Sequence, residues 1–100
     1  MRELANSAIK TEETEAFFDA VLSLSSKDDC YRFFEDVCTI NELCSIAQRL
    51  EVAKLLKEGN TFSTIAAKTG ASTATIARVN KCIQYGAGGY DLVLKDKNKN

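Results

Sequence analysis

Between Ile40 and Glu58 the sequence places Leu43, Ile46, Ala47, Leu50, Val52, Ala53, Leu55 and Leu56 at intervals that cover more than one side of a helix. A helix apolar over so wide an arc must be covered from several directions. The whole chain has only 100 residues, and a domain of that size buries only about two-thirds of its unfolded surface. One small chain can barely supply enough neighbours for such a helix. A second copy can supply the rest, so the pattern predicts an intertwined homodimer.

The remaining segments support an all-α fold. Proline is absent, and 45% of the residues are hydrophobic with few aromatics among them, a composition that favours helices over strands. Thr11 can cap a helix running to about Leu24, with Glu12 and Glu13 in its first turn and Phe17, Ala20, Val21 and Leu24 along one face. Ser26 can cap a second, burying Cys30, Phe33, Phe34 and Val37 at i, i+3, i+4 and i+7. Thr39 with Glu42 forms a capping box at the head of the long helix, and Gly59 with Asn60 suits a left-handed ending. These elements predict a single helical domain over residues 1–94, followed by a polar tail at 95–100 that is expected to be disordered.

Several classes of function lack support. The N-terminal segment scatters charges and has no apolar core of a leader, and no apolar run reaches the roughly 18 residues that span a bilayer. A cytoplasmic protein without membrane contact is expected. The chain contains no histidine, and Cys30, Cys38, Cys44 and Cys82 form no C-x-x-C pair, which speaks against a metal site or a dithiol motif. The four thiols read as small apolar fillers in a reducing compartment. No nucleophile, base or paired carboxylates stand at catalytic spacing, so no enzyme and no cofactor is expected. The "GAGG" run at 86–89 lacks the signature of a phosphate loop and reads as a turn between helices before the short apolar run Tyr90 to Leu94.

Charge is divided unevenly along the chain. Residues 1–56 hold six Lys/Arg against eleven Asp/Glu, a balance of −5, whereas residues 57–100 hold seven against three, a balance of +4. The basic half contains "FSTIAAKTGASTATIARVNK", Phe62 to Lys81. Thr61 or Ser63 can open its first helix, Ile65 and Ala66 face inward, and Gly70 supplies the positive φ of a tight turn. Ser72 caps the second helix, Ala71, Ile76 and Val79 pack inward, and Thr73, Ala74, Ala77, Arg78 and Lys81 point outward. This is a helix-turn-helix spanning about residues 62–82. Its outer face is short enough to enter a major groove about 12 Å wide. The layout puts Thr73, Ala74 and Arg78 nearest the bases, and Thr61, Ser63, Ser72, Thr75, Asn80 and Lys81 within reach of phosphates. Double-stranded DNA is the expected partner. The alternative is a helical dimerisation or protein-interaction module that uses the same hairpin without reading DNA.

"INELCSIAQRLEVAKLLKEG" and "GASTATIARVNKCIQYGAGGYDLVL" resemble the YerC/YecD-type branch of the Trp repressor superfamily over roughly Thr39 to Leu94, most closely through "TGASTATIARVNK". The resemblance implies a Trp-repressor-like, all-helical, intertwined homodimer that presents paired reading heads to a two-fold operator, and hence a sequence-specific, repressor-like regulator of transcription. In the tryptophan-binding members two arginines hold the indole beside a space-making glycine. Arg78 matches one arginine, but Gln48 stands in place of the other, with Arg49 adjacent, and Val79 stands in place of the glycine. Cys82 replaces a serine. Since forcing extra volume into a formed core costs about 1–3 kcal/mol, tryptophan is not expected to be the effector.

Overall fold

The computed structural model describes residues 7–94, which form a short 3-10 turn at Ser7–Ile9 followed by six α-helices, with no strand among the described residues. The helices are α1 (Glu12–Leu22), α2 (Lys27–Val37), α3 (Ile40–Lys57), α4 (Phe62–Thr69), α5 (Thr73–Tyr85) and α6 (Gly89–Val93). The all-α expectation holds, and the tail at 95–100 lies outside the described residues. The chain divides into two compact units, residues 1–43 and 44–100, the boundary falling near the start of α3.

In the first unit the helices begin where side chains satisfy their free amides. At α1 the Thr14 N–H donates to Thr11 Oγ1 (3.1 Å) and the Thr11 N–H donates to Thr14 Oγ1 (2.9 Å), a reciprocal box. The helix stops at Leu22, two residues before the expected Leu24, because the Ser23 hydroxyl donates to the Ala20 carbonyl and closes the last turn. Ser26 caps α2 through the Asp29 N–H (3.1 Å). The N–H and Oγ of Ser25 donate to Asp29 Oδ2, and these two bonds, the backbone one foremost, hold the Asp29 carboxyl below its usual pKa. Phe17, Phe33 and Phe34 meet with ring centroids 5.4 to 6.3 Å apart, in the offset and edge-on arrangements aromatic quadrupoles prefer.

That aromatic cluster never closes into a core: α1 and α2 contain no buried residue. Cys30 and Val37, expected inside, are exposed, as are Cys44 and Cys82, and Cys38 is half-buried. The reading of the four thiols as buried fillers is therefore corrected for the single chain. Cys30, Cys44 and Cys82 lie on helices α2, α3 and α5, and Cys38 is the residue that ends α2.

The second unit holds the core. Val52, Ala53 and Leu55 of α3 meet Ile65 of α4, Ala71 of the turn and Ile76 and Val79 of α5, with Leu56, Ala66, Ile83, Tyr90 and Leu94 packed around them. The apolar arc of α3 is thus covered on one side only, because Ile46 and Leu50 remain exposed. At its C-terminus Gly59 takes φ +90°, the Asn60 N–H donates to the Leu55 carbonyl and the Gly59 N–H to that of Leu56. That pairing is a Schellman ending, as Gly59 and Asn60 suggested. Gly88, at φ +83°, opens α6, and Lys57 of α3 pairs with Asp91 of α6 at 2.6 Å. "GAGG" is accordingly a turn between helices.

Candidate nucleic-acid interface

Two helices joined by a tight turn form the basic half's outer surface. Thr61 caps α4, accepting from the Thr64 N–H at 3.2 Å, and its hydroxyl donates to Thr64 Oγ1 at 3.0 Å. Gly70 ends α4 in the left-handed region at φ +76°, with its N–H on the Ala66 carbonyl. A Cβ at Gly70 would meet nothing within 4 Å, so glycine is required there by conformation and not by space. Ser72 then caps α5, accepting from the Thr75 N–H at 3.1 Å while its hydroxyl donates to Thr75 Oγ1 at 3.1 Å. Ile76 and Val79, fixed in the core, set the rotation of α5 about its axis.

That rotation leaves Thr73, Ala74, Ala77, Arg78 and Lys81 exposed on one side, as the spacing predicts. Of the expected phosphate contacts, Thr61, Ser63, Ser72 and Lys81 are exposed, while Thr75 and Asn80 are half-buried. Thr61 and Ser63 stand together at the start of α4, with 3.4 Å between their hydroxyl oxygens, and Ser72 and Thr75 stand together at the start of α5. Arg78 and Lys81 enter no ion pair among the described residues. Lys68, Arg78 and Lys81 are the only charged side chains between Gly59 and Tyr90, so no carboxylate of this segment opposes an approaching polyanion.

Two features escaped the reading of the sequence. Gln48 of α3 donates from Nε2 to the Thr69 carbonyl at the end of α4, 3.1 Å away. Thr69 itself donates to the Ile65 carbonyl and accepts from the Ala71 N–H. A glutamine amid apolar neighbours was the available signal for the first. Threonine at a helix end has too many local partners for the second to be legible. Beside this link lies an open concavity lined by Cys44, Ala47, Glu51, Leu55 and Lys68. Among the described residues no group of Cys, Asp and Glu is arranged to hold a metal ion, and no helix is long and apolar enough to cross a membrane.

Known proteins share this architecture. The Trp repressor protein family model matches residues 12–98. The uncharacterised YerC protein of Bacillus subtilis (strain 168) is 52% identical over 86 residues, which are 86% of this chain and 83% of that protein. The crystal structure of a TrpR-like protein from Eubacterium eligens ATCC 27750 superposes with a TM-score of 0.86 at 58% identity, covering 88% of this chain and 91% of the other. A Staphylococcus aureus structure described as a candidate Trp repressor gives 0.85 at 44% identity, covering 88% of each chain.

Proposed function

Because the chain belongs to the Trp repressor protein family, as a TrpR-related protein of YerC type, we propose that it is a cytoplasmic, sequence-specific regulator of transcription, repressor-like, that binds double-stranded DNA as a homodimer. The observation that carries this is the outer face of α5, where short side chains and two cations without an ion pair among the described residues are exposed on one side, in a segment, residues 60–89, that holds no carboxylate. Thr73 and Ala74 are short enough to let the helix backbone approach the base edges, and Arg78 carries the fork that pairs with the two acceptors of guanine. Ser63 and Lys81 meet the flanking phosphates, joined by Thr61 and Ser72 as their hydroxyl protons turn from Thr64 and Thr75 to a phosphate oxygen, with Thr75 and Asn80 supporting them from the half-buried edge.

What the single chain leaves open supports dimerisation. Leu22, Ile40, Tyr85 and Leu92 are each about four-fifths exposed, and covering a Leu or Ile side chain contributes about 1.5–3 kcal/mol. A second copy covering these faces would supply the core that α1 and α2 lack. The same exposed faces would serve a pure dimerisation module, but such a module has no need of a cationic α5 free of carboxylates. Tryptophan is not the effector in this proposal. Val79 is 1% exposed within the core, which leaves no room for a ring at that position, and the Gln48 amide is engaged by Thr69.

Selection of bound fragments from a genomic library, read by sequencing, tests the proposal. A recurrent sequence with two-fold symmetry is the expected result. Fragments enriched without a common sequence, or none enriched, would refute it.

A further inference from the structure

The contact between α3 and the helix-turn-helix is apolar, made by Val52, Ala53 and Leu55 against Ile65, Ala71, Ile76 and Val79. Burial of apolar surface has no direction: it fixes how close the hairpin lies to α3 far better than it fixes the angle. A hydrogen bond does have direction, since its strength falls steeply away from alignment. Gln48 provides one. Its half-buried amide reaches from α3 to the Thr69 carbonyl, 3.1 Å away and 21 positions along the chain. That carbonyl belongs to the last turn of α4, where no intrahelical amide remains to pair with it.

Thr69 passes the restraint onward. Its Oγ1 donates to the Ile65 carbonyl at 2.8 Å and accepts from the Ala71 N–H at 3.1 Å. Ala71 is buried and directly precedes Ser72, the cap of α5. One directional bond therefore ties the scaffold helix to the last turn of α4, and the Thr69 side chain ties that turn to Ala71, the residue before the cap of the helix that presents Arg78. We propose that Gln48 is a positioning residue: it sets the angle at which the hairpin is carried on α3, and thereby the half-site spacing that the dimer accepts. This role presupposes the dimeric DNA reader proposed above. In such a dimer the two hairpins are joined through their scaffold helices, so the angle at each joint determines the distance between the two copies of α5. Each base pair added between half-sites moves one of them about 3.4 Å along the axis, a displacement that a stiff joint resists and a loose joint absorbs.

The test uses the operator selected by the full chain, with its centre lengthened or shortened by one and by two base pairs, and also a duplex carrying a single half-site. Affinities are measured for the wild type, Gln48→Glu, Gln48→Met and Gln48→Lys. Glutamate has the shape of glutamine but no proton to donate, methionine fills the space without a donor, and lysine keeps a donor of similar reach. The wild type should prefer one spacing by about tenfold over its neighbours, a loss comparable to that of one mismatched base pair. Gln48→Glu and Gln48→Met should reduce that preference to about threefold or less while leaving single-half-site affinity within about twofold of wild type, and Gln48→Lys should retain most of it. If the glutamate variant fails to fold, the methionine variant gives the same comparison. A folded, dimeric Gln48→Met with the wild-type spacing profile, or with an equal loss at every spacing and on the single half-site, overturns the role of Gln48 and leaves the DNA reader standing. A wild type that discriminates half-sites but not spacings also overturns it. A wild type that selects no sequence overturns both.

Discussion

Arg78 stands one turn beyond Ala74 on the exposed side of α5 and has no carboxylate partner among the described residues. If it pairs with guanine through both nitrogens, Arg78→Ala should cost about 1–3 kcal/mol of binding and relax the preference at one position in each half-site. Arg78→Lys should recover little, since lysine keeps the charge but not the planar fork. If the contact is to phosphate alone, the loss should be uniform across sequences and the salt slope should fall by about two for a dimer. Affinities for the selected operator and its single-base variants at several salt concentrations separate the two. One position further on, Val79 is sealed in the core, so titration calorimetry with millimolar tryptophan should show no saturable heat, and a micromolar dissociation constant would refute the exclusion. Which side chains of α5 point outward was legible in the sequence, because Ile76 and Val79 can only face in and the helical period then places Arg78 out. The bond from Gln48 to Thr69 was not legible, since it joins residues 21 positions apart and depends on the angle between two helices.

At the scale of the element, the turn and the caps carry most of what local sequence dictates. Thr11, Ser26, Thr39 and Ser72 cap helices as their positions suggested, and of the two candidates Thr61 and Ser63 it is Thr61 that caps α4, because capping is decided by a hydroxyl and an amide three residues away. Gly70 is required by its backbone, at φ +76° with open space around the missing Cβ. Gly70→Ala should therefore lower stability by about 1–2 kcal/mol through left-handed strain alone, visible as a shift in the urea midpoint at fixed protein concentration. The start of α2 has a pH dependence of known sign. Asp29 is held below its usual pKa by Ser25 and Ser26, so its contribution is complete above the usual carboxylate range and is lost as pH falls through the lowered value. Asp29→Asn should flatten that part of the acid unfolding curve. Burial was the less legible property. The periodicity of α2 correctly grouped Phe33 and Phe34, yet Cys30 and Val37 of the same stripe are exposed, because a stripe reports what a helix can bury and not whether one chain provides the cover.

For the molecule as a whole, that shortage of cover is the main physical fact. Among the described residues seven hydrophobic side chains are buried, all of them in residues 44–100, while apolar side chains from Ile9 to Val93 remain in water. Sedimentation equilibrium at micromolar concentration should give about twice the 11.0 kDa chain mass, with a thermal midpoint that rises with protein concentration. A stable folded monomer would contradict the dimer. A dimeric helix-turn-helix has a further geometric consequence, since two copies of α5 related by a two-fold axis meet the same face of the duplex about one helical turn apart, or a multiple of it. Hydroxyl-radical footprinting of the selected operator measures this directly. The account predicts two protected segments, symmetric about the operator centre and separated by about 10–10.5 base pairs or a multiple, both weakened together by Arg78→Ala. A single protected segment, or protection that covers unrelated duplexes equally, would contradict it.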